Sequence, residues 1–314
     1  MAPGFATLCL NPTLQKTLLC SRLEPGAIHR CLQRRVDASG KGVNVARVLA
    51  QLGQRVVHLT QAGGDERARF LRLAADAQVP VSWVESGASL RHCTTLVEVD
   101  TGRATELIEP AEPVQPETAS LLRRSFSQQL AAFDVLVISG TRAPGFPDTL
   151  LPELVAEAKA AGKRVILDLK GQDLQTCLEA EPDVIKPNLA EFVSTFLSSS
   201  MPEEETEDPA LLSHVKEHMV ALSRRHRTAI VLTRGGRPAL VASRGEVNSV
   251  APPATRVVNT IGSGDAVAAG IAVVLGHDGE LSRAVALGLE CGALNASRIE
   301  PGCITEPGQQ LQLL

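Results

Sequence analysis

Alternation of short apolar runs with longer amphipathic segments is the feature that most constrains how this chain folds. Six runs predict strands: Ala6–Leu10, Val56–Thr60, Val135–Ser139, Val165–Asp168, Val184–Lys186 and Ala229–Thr233. Five stretches with helical spacing of apolar residues predict helices: Gly42–Leu52, Asp65–Ala77, Glu117–Ala131, Thr149–Ala161 and Leu211–Arg225. Apolar strands separated by helices indicate a parallel sheet that is buried on both faces. The sequence therefore predicts an α/β fold.

Two regions break this alternation, because Leu18–Val36 and Cys93–Ile108 read as strands with no helix between them. We predict a single domain over residues 1–314, with a small β extension contributed by residues 11–37 and 89–110.

Three glycines just past helical patterns, Gly53, Gly162 and Gly276, are expected to be left-handed C-terminal caps. The segment Met201–Asp208, with the sequence MPEEETED, is predicted to be an acidic loop exposed to solvent.

Composition excludes several classes of protein. The net charge of −4 gives no electrostatic reason to expect nucleic acid or an anionic membrane as partner. The seven cysteines are scattered and never form a C-x-x-C pair, which argues against a disulfide framework and fits a reducing compartment. No signal peptide and no run of about 18 apolar residues is present, so we expect a cytoplasmic protein.

The strongest candidate site is the string NTIGSGDAVAAGIAVVL, which spans Asn259–Leu275. Gly262 and Gly264 precede an alanine-rich helical run, and amides at the start of a helix have no acceptor within it. Such a turn binds anions. Asp265 stands in this first turn, where an acid either caps the helix or accepts a proton from a reacting hydroxyl. The turn alone leaves both roles open.

A second glycine-rich string, SGKGVNVARVLAQLG, spans Ser39–Gly53. Lys41 lies between Gly40 and Gly42, just ahead of an amphipathic helix. An ammonium group near a helix start can bind an anion, although an exposed lysine in a turn is the simpler interpretation.

Both strings resemble the two signatures of the ribokinase-like PfkB carbohydrate kinases. Further matches follow in the family's order along most of the chain: LNPTLQ, SLRHCTTL, SGTRAPGFP, KPNLAEF and TRGGRPAL. Their pattern is most similar to the branch of 1-phosphofructokinases and tagatose-6-phosphate kinases. The resemblance implies a three-layer α/β/α core with a mostly parallel sheet, and a small β lid through which a homodimer forms.

The resemblance also implies roles for individual residues. Asp265 is the expected catalytic base, and its anion hole comprises Gly262, Ser263 and Gly264. The residues expected to bind a sugar phosphate are Asn11, Gln15, Gly40, Lys41, Gly42, Asn44 and Arg91. Those expected to bind ATP are Lys186, Asn188, Thr233, Gly235, Gly236 and Asn295. Asn188 and Glu191 are expected to position Mg²⁺ through water.

Four positions depart from the family pattern. Gln15 stands where the family has an aspartate that binds sugar hydroxyls, and losing such a charged hydrogen bond costs about 1.5–3 kcal/mol. Ser39 replaces a glycine or alanine. Arg142 and Lys170 are expected to add cations near the active-site face.

The departures leave the acceptor open. A phosphorylated ketohexose is the expected substrate: fructose 1-phosphate, tagatose 6-phosphate or fructose 6-phosphate. The alternatives are a kinase for an unphosphorylated sugar or nucleoside, and a binding or regulatory protein without turnover. A dinucleotide-dependent oxidoreductase is disfavoured, since no glycine fingerprint follows the first strand.

Overall fold

The structure is a computed structural model that describes residues 2–197 and 202–306. The strands in these residues are β1 Gly4–Cys9, β2 Thr13–Cys20, β3 Gln33–Ser39, β4 Arg55–Ala62, β5 Val81–Glu85, β6 Arg91–Glu98, β7 Ala104–Ile108, β8 Val135–Ser139, β9 Arg164–Asp168, β10 Val184–Ile185, β11 Ala229–Arg234, β12 Arg237–Ser243 and β13 Glu246–Val250. The α-helices are α1 Lys41–Gln51, α2 Arg67–Asp76, α3 Thr118–Gln129, α4 Leu150–Ala160, α5 Gly171–Cys177, α6 Leu189–Phe196, α7 Pro209–Arg225, α8 Ser263–Gly276 and α9 Leu281–Ala296.

The larger sheet has the strand order β13-β12-β11-β10-β9-β8-β1-β4-β5. The strands from β11 to β5 are parallel, and β12 and β13 add an antiparallel edge. The six predicted strands and five predicted helices are all present, with ends displaced by no more than two residues. The strands β5, β12 and β13 were not predicted.

Each face of this sheet packs against its own layer of helices. Along β1, Phe5 belongs to one buried cluster, with α1, α2, α8 and α9, whereas Ala6 and Leu8 belong to the other, with α3 to α7. Because successive side chains of a strand point to opposite faces, the sheet contributes side chains to a buried cluster on each of its faces. The predicted three-layer α/β/α fold is therefore confirmed.

A smaller four-stranded sheet has the order β3-β2-β6-β7. Its strands lie in or beside the two predicted segments, but Leu18–Val36 is not continuous strand. β2 begins earlier, at Thr13, and residues 21–32 form a loop. Pro25 and Gly26 explain the interruption, because proline cannot donate to a strand ladder and Gly26 adopts a φ of +83°.

One predicted helix cap is wrong. Gly53 and Gly162 both adopt the left-handed conformation expected of a cap, with φ of +71°. Gly276, however, is the last residue of α8, and Asp278 carries the positive φ instead. A Cβ at Gly276 would lie 2.7 Å from the ring of Phe5, so this glycine is required for close packing of the helix on β1.

The acidic segment precedes α7. Met201 lies outside the described residues, and residues 202–208 form a loop that ends at Asp208, whose side chain caps the helix. In the described part of the chain, no helix is both long enough and apolar enough to cross a membrane.

Candidate active site

The candidate site lies at the carboxyl ends of the parallel strands. β8 ends at Ser139 and β9 at Asp168, and Lys186 directly follows β10. Ligands of open α/β sheets bind at this edge. The helices α1 and α8 start beside it, at Lys41 and Ser263.

The turn before α8 exposes backbone donors. Gly262 has φ of +85°, which a side chain rarely adopts, and a Cβ there would lie 2.8 Å from the amide nitrogen of Gly302. The amides of Gly264 and Asp265 have no backbone acceptor among the described residues. Lys186 adds a cation, since its Nζ lies 3.3 Å from where a Cβ of Gly264 would be. The turn can therefore bind an anion.

Asn295 holds this turn in place. It is fully buried, and its Nδ2 donates to the carbonyl of Ile261 at 2.9 Å and to Oγ of Ser263 at 3.0 Å. Its Oδ1 accepts from the amide of Gly302 at 2.7 Å and from that of Cys303 at 3.2 Å. Since both ends of the carboxamide are bonded to backbone and side chain, the geometry favours support of the turn over direct contact with ATP.

Asp265 is 5% exposed and lies in the first turn of α8. Its Oδ2 accepts a hydrogen bond from Nδ2 of Asn44, at 2.8 Å. Burial raises the pKa of Asp265 to about 7; the nearby lysines Lys41 and Lys186 oppose this rise and the carboxylate of Asp168 adds to it. A carboxylate with this pKa can accept a proton near neutral pH.

A network of two lysines and two carboxylates surrounds this centre. Asp168, 1% exposed, is 3.1 Å from Nζ of Lys186 and 3.6 Å from Nζ of Lys41, and it accepts from Ser139 at 3.0 Å. Burial raises the pKa of Asp168, but the two lysines outweigh burial and hold it below its ordinary value. Asp168 was not among the predicted site residues. Its position at the end of a predicted parallel strand was the signal that could have identified it.

Lys41 also contacts Glu191, whose Oε1 lies 3.2 Å from Nζ. Desolvation lowers the pKa of Lys41, whereas Asp168, Glu191 and Asp265 raise it by a larger amount. The ammonium group of Lys41 is therefore charged, and it is already paired with the carboxylates of Asp168 and Glu191.

Asn188 and Glu191 form a capping box at the start of α6. The Oδ1 of Asn188 accepts from the amide of Glu191 at 2.8 Å, and the Oε2 of Glu191 accepts from the amide of Asn188 at 3.0 Å. These two side chains therefore cap the helix at whose start they lie. No group of three or more potential metal ligands occurs in residues 2–197 and 202–306.

Three of the residues predicted to bind substrate lie on or beside the small sheet. Asn11 donates to Thr141 at 3.3 Å, and Gln15, 2% exposed, donates through Nε2 to Oγ1 of Thr95 at 2.6 Å. Arg91 has a buried Nε without a hydrogen-bond partner. An unpartnered buried guanidinium donor is costly unless a ligand satisfies it, which fits an anionic substrate.

The glycine loop after β11 differs from the turn before α8, because the acidic segment contacts its amides. Gly235 donates to Oε1 of Glu204 at 3.3 Å, and Gly236 donates to Oε1 of Glu205 at 2.8 Å. Thr233 is aligned beside Asn188 through a parallel bridge. Carboxylates thus occupy donors predicted to bind phosphate.

The two cations expected near the active-site face differ in their contacts. Arg142 is paired, because it bonds to Asp173 at 2.7 Å, to Asp148 at 2.7 Å and to the carbonyl of Phe146 at 2.8 Å. Lys170 is exposed and directly precedes α5.

A buried carboxylate beside an anion-binding turn is the arrangement that a small-molecule kinase requires, and the comparisons with known proteins agree. The family model described as pfkB family carbohydrate kinase matches residues 14–306. The chain belongs to this family. The predicted family and enzyme class, a kinase for carbohydrates, are therefore confirmed.

Two curated relatives are similar over nearly the whole chain. The 1-phosphofructokinase of Xanthomonas campestris pv. campestris is 30% identical over 301 residues, which cover 94% of this chain and 91% of that protein. The 1-phosphofructokinase of Rhodobacter capsulatus is 30% identical over 298 residues, with the same coverage.

Solved structures share the fold. Phosphofructokinase-2 from Escherichia coli matches with a TM-score of 0.80 and 24% identity, over 94% of this chain and 93% of that one. A possible 1-phosphofructokinase from Thermotoga maritima matches with a TM-score of 0.82 and 20% identity, over 95% and 93%.

Proposed function

We propose that this protein transfers the γ-phosphoryl group of ATP to a hydroxyl of a phosphorylated ketohexose, with Asp265 as the base. The observation that carries this proposal is the position of Asp265, a buried carboxylate with a pKa of about 7 beside the free amides of Gly264 and Asp265 itself.

In the proposed step, Asp265 accepts the hydroxyl proton as the acceptor oxygen forms its bond to the γ-phosphorus. The bond from this phosphorus to the bridging oxygen breaks, and its electron pair leaves on ADP. The amides of the α8 turn and Lys186 stabilise negative charge on the phosphoryl group, because they are positioned before the reaction begins. Asp265 then releases its proton to water.

The residues present fit Mg²⁺-bound ATP. The free amides and Lys186 can bind phosphate oxygens, while Asp168 and Glu191 are tied to lysines and leave room only for contact through water. Bound Mg²⁺ would supply charge neutralisation between the phosphates. Thr233, Gly235 and Gly236 complete the proposed nucleotide side, once the amides of the two glycines are released from the acidic segment.

A phosphate on the acceptor is supported by Arg91, whose buried Nε has no partner. The two curated relatives are 1-phosphofructokinases, and the Escherichia coli phosphofructokinase-2 has been crystallised with fructose 6-phosphate. The pairing of Lys41 with Asp168 and Glu191 makes Arg91 the better candidate for this phosphate. Gln15, Asn11, Gly40, Gly42 and Asn44 are proposed to line the sugar.

The four-stranded sheet is proposed to close over the acceptor as a lid and to pair with a second copy of the chain. Its edge strand β7 is exposed along its whole length, and Leu107 and Ile108 are 58% and 56% exposed. An edge strand with apolar side chains that face solvent favours association. Residues 11–37 and 89–110 remain our assignment of the lid within one domain.

The experiment that tests this function is ADP release from Mg²⁺ and ATP, against fructose 1-phosphate, fructose 6-phosphate, tagatose 6-phosphate, fructose, ribose and nucleosides. We expect turnover with one phosphorylated ketohexose. Asp265→Asn should lower kcat by about 10²–10⁴-fold, the usual range for loss of a general base.

Two outcomes would change the assignment. Turnover only on an unphosphorylated acceptor would remove the role given to Arg91. ATP binding without turnover across the panel would favour a binding protein.

Arg91→Gln should raise KM for the phosphorylated sugar. The control is Arg225→Gln, which changes an exposed arginine on α7.

A further inference from the structure

Ser39 is linked to the proposed base through the side chain of Asn44. It is the last residue of β3, it is 3% exposed, and its Oγ donates to Oδ1 of Asn44 at 3.1 Å. Asn44 lies in α1, is 4% exposed, and uses its other end, Nδ2, to donate to Oδ2 of Asp265. Three buried side chains from β3, α1 and α8 thus form one hydrogen-bonded chain.

We propose that Ser39 is a positioning residue for the phosphoryl-transfer reaction: by holding the oxygen end of the Asn44 carboxamide, it commits Oδ2 of Asp265 to Asn44 and leaves Oδ1 to accept the proton. This inference rests on the proposed function of Asp265.

The argument depends on the asymmetry of a carboxamide, which has one acceptor end and one donor end. With Ser39 donating to the oxygen, the NH₂ group must face Asp265, where it stabilises the ionised carboxylate. Among the described residues, none forms a hydrogen bond with Oδ1 of Asp265. This oxygen therefore has both lone pairs open to an acceptor hydroxyl, whereas one lone pair of Oδ2 is used by Asn44.

Without the Ser39 hydroxyl, the carboxamide keeps a single anchor at its polar end. It can then rotate, and the hydrogen bond to Asp265 is made for less of the time. The hydrogen bond from Asn44 lowers the pKa of Asp265, so a weaker bond raises it. The residue at this position is therefore expected to adjust the pH range in which the base is ionised.

Other charged and titratable groups that face Asp265 come from several elements. They are Lys41 from α1, Asp168 from β9, Lys186 after β10 and the thiol of Cys9 from β1. Ser39→Ala leaves all of them unchanged, so a shift in the Asp265 titration can be assigned to the carboxamide.

The test is a titration in which the ¹³C chemical shift of the Asp265 carboxyl is followed against pH by NMR. Its resonance is assigned as the one that disappears in Asp265→Asn. We expect Ser39→Ala to raise the pKa of Asp265 by about 0.3–0.7, as expected when one hydrogen bond to the carboxylate is partly lost. Ser39→Thr, which keeps the hydroxyl, should restore the wild-type value. Ser223→Ala removes another buried serine, which donates to Thr228 at 2.7 Å, and should cause no shift.

Kinetics give a second measurement. In Ser39→Ala, kcat should fall about 3–10-fold, as expected for loss of one hydrogen bond. The acidic limb of the plot of kcat against pH should move to higher pH, and KM for ATP should not change. In an Asn44→Ala background, Ser39→Ala should no longer shift the titration.

An unchanged titration in Ser39→Ala, or an equal shift in the Asn44→Ala background, would overturn the positioning role. Full activity of Asp265→Asn would instead overturn the proposed base, and the NMR comparison would still decide whether Ser39 acts through Asn44.

Discussion

Two glycine turns that were predicted to bind phosphate, one before α8 and one after β11, are built in opposite ways. The turn at Gly262–Asp265 is held from behind by the fully buried Asn295, and its outward amides are free. The loop at Gly235 and Gly236 is exposed, and its amides donate to Glu204 and Glu205. The amides of the turn at Gly262–Asp265 are therefore open to a ligand, whereas those of the loop at Gly235 and Gly236 are occupied by carboxylates.

The acidic segment is fastened to the second turn at further points. Arg234, 5% exposed, donates to the carbonyl of Thr206 at 2.7 Å and to Glu207 at 3.0 Å. Arg237 lies 3.5 Å from Glu207. Because carboxylates and phosphates use the same backbone donors, a nucleotide that binds this loop must displace Glu204 and Glu205. Under the proposed function, the turn beside Asp265 is therefore arranged before a ligand binds, whereas the loop at Gly235 and Gly236 would rearrange when the nucleotide binds.

Removing the support of the first turn should have the largest effect on this contrast. Asn295→Ala deletes the bonds to Ile261, Ser263, Gly302 and Cys303, and leaves buried backbone groups unsatisfied, at a cost of about 1–3 kcal/mol each. We expect kcat to fall about 10–100-fold, because the amides no longer keep one arrangement. Steady-state kinetics at saturating ATP measure this.

The matched control is Asn248→Ala, an exposed asparagine in β13 that should leave kcat and stability unchanged. A wild-type kcat in Asn295→Ala would mean that the turn needs no support, and the contrast between the two turns would be lost. A loss confined to KM for ATP would assign Asn295 to nucleotide contact, as the sequence resemblance implied.

The sequence predicted the sheet, its covering helices and the turn before α8, because each depends on local pattern: apolar periodicity, or glycines at a helix start. It did not predict which groups pair across the site. The bonds of Lys41 to Glu191 and of Arg142 to Asp173 join residues far apart in the chain, and no local pattern encodes them.

The acidic segment was the least predictable part of the candidate site. Its composition predicted an exposed loop, and residues 203–205 are indeed exposed. Composition does not indicate which amides such a loop meets, because that depends on how α7 and β11 bring residues 204–207 to the glycine loop. Sequence therefore predicted an electrostatic character but not a partner.

The carboxylate contacts at the second turn give the next prediction. In the double variant Glu204→Gln, Glu205→Gln, neutral amides bind the donors of Gly235 and Gly236 less strongly than carboxylates do. ATP then displaces them more easily, so KM for ATP should fall about 3–10-fold, while kcat stays within about twofold. Initial rates against ATP concentration, at fixed sugar phosphate, measure both.

The control is Glu203→Gln with Glu217→Gln, which removes the same charge from two exposed side chains, whereas the amides of the glycine loop donate to Glu204 and Glu205. This pair should leave KM for ATP unchanged, and an equal fall in both doubles would indicate a general effect of net charge. A rise in KM in the first double would show that the two glutamates assist nucleotide binding, and both turns would then be preorganised.

The smallest expected effect concerns stability and tests whether the preorganised base is strained. The pKa of Asp265 is about 7 in the folded protein, above the ordinary value near 3.8, so folding favours the protonated form. Stability contributed by this group is present at low pH and is lost as pH rises from about 4 through 7. Asp265→Asn, which cannot ionise, should therefore unfold at a temperature a few degrees above wild type at pH 8, with a smaller difference at pH 5.

Differential scanning calorimetry at the two pH values measures this difference in unfolding temperature. The control is Asp76→Asn, which changes an exposed aspartate of α2. A variant less stable than wild type at pH 8 would mean that Lys41 and Lys186 stabilise the ionised carboxylate more than burial disfavours it.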